Sequence, residues 1–283
     1  MAPESARPSS FGDRAAPIAP MSSAAAAGWT FLVTFVFLAL AGVMYALRGE
    51  TRGDLVTGFS CQVISYTLGL FLILRVYAPE RSIRDFIALR PTAWAFYPLA
   101  ILLGIAIAFP AGALYDVVCA RYPSVDQDAM TEVFRASSPA RRVVMGFVLA
   151  AAGPAVEEVL FRGALMRPLR RRYSAGLSAV LTAILFALVH LEWQMFPPIV
   201  IVGLCLGLVR NWSGSLVVST LLHGAFNAVS LGDLVREAAG APAMKTPLAA
   251  TIGGAVVSVA VLAVMRVVSQ RAPAALAARE ADG

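Results

Sequence analysis

The sequence predicts an all-α fold, a polytopic transmembrane helical bundle of about eight spans. Three observations lead there. Hydrophobic residues make up 59% of the 283 positions and charged residues only 14%, whereas soluble domains carry about 25% charged residues. Mean hydropathy is +0.74. The apolar residues gather in runs close to the ~20 residues that cross a bilayer as a helix, and the arginines concentrate in the short segments between them.

Taken in order, residues 1–27 are rich in Ala, Pro and Ser and read as a disordered N-terminal tail. A secretory signal fits less well. The apolar run continues past the small-residue triplet Ala39, Leu40 and Ala41, and the basic Arg7 and Arg14 lie far upstream of it. Spans are expected at 28–47, 55–77, 93–118, 143–165, 174–191, 197–209, 215–231 and 247–268, the sixth being short. This divides the chain into the tail, an N-terminal group of helices with a connecting loop (28–142), a core (143–231), and a last span with a polar tail from Arg271 (232–283). The connection 122–136, with 137–144 after it, is polar, partly amphipathic and long for a bundle of short loops. It reads equally as a plain loop, as a helix on the membrane surface, or as a shield over a cavity. No internal repeat and no soluble domain is visible.

The net charge of +6 and pI near 9.6 do not indicate nucleic acid. Lys245 is the lone lysine, and most arginines sit in the short loops where they set topology. Their distribution favours both termini on the cytoplasmic side. The densest run, RPLRRR at 167–172, reads as a topology anchor ahead of any lipid- or substrate-binding role. Cys61, Cys119 and Cys205 form no CxxC pair and read as packing residues. The Ala- and Arg-heavy, Lys-poor composition points to a bacterial source and hence to the inner, or cell, membrane.

Against this background a few polar groups stand out as costly in lipid. The fourth span carries Glu157, Glu158 and Arg162, the fifth carries His190, and the seventh carries His223 and Asn227. Residues four apart share a helix face, so Glu158 can pair with Arg162, and His223 with Asn227. Glu157, turned about 100° from Glu158, must face another neighbour. Each feature alone has a structural explanation: a Glu–Arg pair within one helix, or histidine and asparagine as interhelical hydrogen-bonding glue. Together they are expected to converge on one polar cavity. A carboxylate beside an imidazole can activate a water, and a second imidazole with an amide can stabilise an oxyanion. No Ser or Cys has a local partner that marks it as a nucleophile, and Ser219 and Thr220 lack a distinguishing context.

Three motifs in order resemble the CPBP intramembrane proteases, also called the CAAX-protease and bacteriocin-processing, or Abi, family. EExxxR appears as Glu157, Glu158 and Arg162, FxxxH as Phe186 and His190, and HxxxN as His223 and Asn227. They cover about a third of the chain, within the core at 143–231. The resemblance implies intramembrane proteolysis. Glu157 and His190 would activate water, His223 and Asn227 would form the oxyanion hole, and Glu158 and Arg162 would support the site. A metal-free, glutamic-type mechanism is preferred. Zinc on Glu157, His190 and His223 is the alternative, with one position left for water, although no HExxH is present. The expected partners are the lipid bilayer and a membrane protein or peptide substrate, without a prenyl group. Two other functions remain open: a proton-coupled transporter, and a non-catalytic immunity or scaffold protein on the same fold.

Overall fold

The computed structural model describes residues 17–49, 54–123 and 129–281. These residues are helical with no strand. In chain order the helices are α1 (Ser23–Arg48), α2 (Leu55–Tyr77), the short α3 (Ile83–Phe86), α4 (Phe96–Arg121), α5 (Ala129–Ala136), α6 (Pro139–Arg170), α7 (Ala175–Leu188), α8 (Phe196–Ser213), α9 (Leu216–Ala238) and α10 (Leu248–Ala281).

Every expected span is a helix, but only six helices among the described residues are long and apolar enough to cross a membrane: α1, α2, α4, α6, α8 and α10. This corrects the expectation of eight. With 14 residues, α7 reaches about 21 Å at 1.5 Å per residue, short of the ~30 Å hydrocarbon core. α9 is long enough but carries Ser219, Thr220, His223, Asn227, Asp233, Arg236 and Glu237. Both helices are packed against spans. A Cβ at Gly203 or Gly207 of α8 would lie 3.1 or 2.9 Å from the β-carbon of Ala183 or Ala179 on α7. A Cβ at Gly104 of α4 would come within 2.3 Å of the Leu222 carbonyl on α9. Small residues let the backbones approach, and the polar helix is thereby held inside the bundle.

Of the expected tail, residues 1–16 lie outside the described residues, but 17–27 are ordered. Ile18 and Met21 are buried in the core. The Ala19 amide donates to the Tyr77 carbonyl at 2.8 Å and the Met21 amide to the Pro168 carbonyl at 3.0 Å. Ser22 then caps α1 by accepting from the Ala25 amide. Composition averaged over the segment conceals two apolar residues that find a groove between the ends of α2 and α6. At the other end, α10 stays helical to Ala281, through the stretch expected as a polar tail. Its alanine-rich sequence favours helix.

Of the connection at 122–136, residues 124–128 lie outside the described residues, and the rest is not a plain loop. The amphipathic α5 buries Phe134, and Arg135 donates to the carbonyls of Glu237 and Ala238 at 3.1 and 3.3 Å, fastening α5 to the last turn of α9. Asp54 ties the opposite bends together. It caps α2 through the Val56 and Thr57 amides and pairs with Arg141 of α6 at 2.5 Å.

Candidate active site

The site is organised by an irregularity in α6. Two π-helical segments, Val148–Ala152 and Val159–Leu165, flank the α-helical turn that carries the glutamates. Gly153 and Pro154 account for the first. The Gly153 amide donates five residues back, to the Val148 carbonyl. The next donor in that register would be residue 154, but proline has no N–H. The Leu149 carbonyl is therefore left without a partner from its own helix, a costly condition in a membrane. The amide of Asn227 on α9 donates to it at 2.9 Å. Single π-turns inside α-helices are frequent at functional sites.

The two glutamates face different surroundings, as their spacing predicts. Glu158 is fully buried and accepts from Arg162 Nη1 at 2.6 Å within its own helix. Arg162, also fully buried, donates through Nη2 to the Gly203 carbonyl of α8 at 2.9 Å and lies over the Phe186 ring at 4.6 Å. A carboxylate, a carbonyl and an aromatic face thus surround one guanidinium. Glu157 is the more open carboxylate, its side chain 19% exposed. Its Oε1 accepts from Gln62 Nε2 on α2 at 3.0 Å, and its Oε2 lies 3.7 Å from His223 Nε2.

His223 stands between the two carboxylates, with Nδ1 3.3 Å from Glu158 Oε1. That approach misses hydrogen-bond geometry, and Nδ1 has no hydrogen-bond partner. Phe186 is the hub of the aromatic contacts. His190 and His223 both meet its ring edge-on, at centroid distances of 4.8 and 5.4 Å, and Phe161 does so at 5.2 Å. The His190 Nδ1 lies 2.8 Å from the Phe186 carbonyl. A carbonyl only accepts, so Nδ1 carries the proton, and in the neutral ring Nε2 is left with its lone pair.

The structure therefore joins Glu157, Glu158, Arg162, Phe186 and His223 directly. His190 belongs to the group through Phe186, and Asn227 through the Leu149 carbonyl. The imidazole nearest Glu157 is that of His223, not His190. Sequence reasoning missed Gln62, although an amide in an apolar span, with Tyr66 one turn later, was a visible signal. Ser219 and Thr220 both donate to the Leu216 carbonyl at 3.0 Å, which ties them to their own helix turn. Cys61 and Cys205 are buried thiols, in keeping with packing.

Among the described residues, no three His, Cys, Asp or Glu side chains are grouped to hold a metal ion. His190 Nδ1 is engaged by the Phe186 carbonyl, which leaves Nε2 as the open nitrogen of that ring.

Comparison with known proteins bears on the same stretch. Residues 139–229 match the family model described as type II CAAX prenyl endopeptidase, Rce1-like. The match contains all three motifs and supports the CPBP/CAAX-protease family. An uncharacterized 24.3 kDa protein of Escherichia coli is 27% identical over 183 residues, 61% of this chain and 76% of that protein. No solved structure matches. With the six apolar helices, the family match supports a multi-pass integral membrane protein and, in general, a CAAX-type intramembrane endopeptidase.

Proposed function

Given the family match over 139–229, we propose that the chain hydrolyses a peptide bond in a membrane-associated protein or peptide, using a water activated by Glu157 and His190. One observation carries the reading. Of two adjacent glutamates, one is sealed into an ion pair and the other is partly open, with one oxygen anchored by Gln62 and the second free beside an imidazole.

The steps follow from the groups. Glu157 takes a proton from water, with the His190 Nε2 lone pair as the second acceptor that orients it. The resulting hydroxide attacks the carbonyl carbon, and the carbonyl π electrons move to oxygen. In its doubly protonated form His223 donates Nε2–H to that oxyanion, and the Asn227 amide retains a second N–H after its bond to Leu149. When the intermediate collapses, Glu157 passes its proton to the leaving amine. Glu158 and Arg162 act by holding His223 and the helix geometry. The mechanism is metal-free and the substrate carries no prenyl group. The protein resides in a bacterial cell membrane with both termini cytoplasmic, which an even number of spans permits.

The test is cleavage of a candidate membrane substrate by the detergent-purified chain and its Glu157→Gln and His190→Ala variants. Loss of a general base costs about 10²–10⁴-fold. Variants that retain the wild-type thermal midpoint and cleave at the wild-type rate would falsify the mechanism. A cellular phenotype that survives Glu157→Gln would favour the scaffold reading instead.

A further inference from the structure

A polar cavity of about 640 Å³ opens where one set of helix ends meets: the segment before α1, the loop after α2, and the last turns of α6 and α8. Its lining is dominated by arginines, and among the described residues no acidic side chain lines it. Two of them form a buried wall. Arg162 is fully buried and Arg210 is 6% exposed, and the Nε of each has no hydrogen-bond partner. Arg170 and Arg171 stand exposed at the mouth. Asp85 offsets part of the charge, through ion pairs with Arg81 and Arg167. Arg90 is held by the Gly214 carbonyl at 2.9 Å.

Placing arginines around a cavity with unpaired donors is costly unless an acceptor enters. Guanidinium forks match tetrahedral oxyanions, and basic pockets between helix ends face the headgroup region of a bilayer. We propose that this cavity binds the phosphate group of an anionic ligand, with the headgroup of an anionic phospholipid as its source in the membrane. The arginine run at 167–172 then does more than set topology: Arg167, Arg170 and Arg171 line the site. Arg162 joins it to the candidate active site, since the same guanidinium that lines the cavity holds Glu158.

The test reads binding and does not depend on proteolysis. The full chain, purified in a neutral detergent, is titrated with phosphatidylglycerol or with phosphatidylcholine of the same acyl chains, and retention is measured by native mass spectrometry. In lipid-free micelles, inorganic phosphate and pyrophosphate are added and the thermal midpoint is followed. The expected result is retention of phosphatidylglycerol over phosphatidylcholine, weakened about tenfold or more by Arg210→Gln. The double variant Arg170→Gln, Arg171→Gln, altered only at exposed positions, should weaken it likewise and keeps the test valid if Arg210→Gln does not fold. Stabilisation by phosphate or pyrophosphate alone, lost in the variants, supports the site with a soluble anion as its source. Equal retention of both lipids with no effect of either anion overturns the proposal, as does wild-type binding by the variants.

Discussion

Arg162→Met offers a quantitative test of the buried pair beneath the candidate site. Arg162 and Glu158 are both fully buried, with Nη1 and Oε1 2.6 Å apart. Removing the guanidinium leaves Glu158 in the bundle with the imidazole of His223, Nδ1 3.3 Å away, as its remaining basic neighbour. It also strips the Gly203 carbonyl of its donor. Breaking a buried pair from one side costs about 3–5 kcal/mol, because the surviving charge is left uncompensated. Glu158→Gln, which strands the guanidinium, should cost a similar amount. Replacing both residues removes both charges, and such exchanges are often near neutral. The double variant Glu158→Gln, Arg162→Met should therefore be more stable than either single variant. The coupling energy of the cycle should exceed about 3 kcal/mol, at or beyond the upper end of what contacting residues show. The assay is unfolding of the detergent-solubilised chain, with the exposed Arg75→Met as a control within about 0.5 kcal/mol of wild type. Additive single effects would refute the reasoning, since they would mean that neither charge depends on the other for its burial.

Other expectations follow from single contacts. Asn227→Ala should destabilise the chain by about 1–3 kcal/mol by orphaning the Leu149 carbonyl. Pro154→Ala in the same background, by restoring a backbone N–H, should recover part of the loss in a thermal melt. Gln62→Leu removes a hydrogen bond to a carboxylate, worth about 1.5–3 kcal/mol. It should lower kcat by roughly ten- to a hundredfold with little change in KM, and an unchanged kcat would mean that Gln62 does not orient Glu157. For Asp54 burial acts to raise the pKa, but hydrogen bonds from Thr57 and Val56 and the charge of Arg141 outweigh it, so the carboxyl is held below its ordinary value of 3.8. A depressed folded pKa gives stability that is present above the unfolded pKa and is lost as pH falls through the folded one. Asp54→Asn should therefore flatten the acid limb of the stability profile below about pH 4 and leave the neutral region parallel to wild type.

The helices were legible in the sequence because apolar runs reveal themselves in one dimension, and α2 was placed at Leu55–Tyr77 to the residue. The span count was less legible. Whether α7 and α9 cross lipid depends on what surrounds them, and the sequence of α9 does not say that α4 approaches close enough to touch its backbone. The Glu158–Arg162 pair could be read because both partners lie on one helix. The Gln62–Glu157 bond, between residues 95 apart, and the ordered segment at 17–21 could not, since each depends on a partner that periodicity does not locate. The arginine run at 167–172 was read as a topology anchor ahead of a lipid- or substrate-binding role because Arg210, which completes the cavity, lies on another helix.

The π-turns explain how one helix serves several partners. Glu157 must reach Gln62 on α2, while Glu158 and Arg162 must address His223 on α9 and the Gly203 carbonyl on α8. A regular α-helix rotates 100° per residue and leaves no backbone carbonyl free between its ends. The wide turn before the glutamates releases the Leu149 carbonyl, and α9 answers with Asn227. A backbone defect on α6 thus fixes the orientation of the helix that carries His223, four residues before Asn227 on the same face. On this argument Pro154 acts on the candidate chemistry without touching it. Pro154→Ala alone, by closing the ladder, should loosen the hold of α9 on α6 and lower cleavage while leaving the thermal midpoint near wild type. A fall in stability with cleavage intact would show that Pro154 serves the packing of α6 and not the placement of His223.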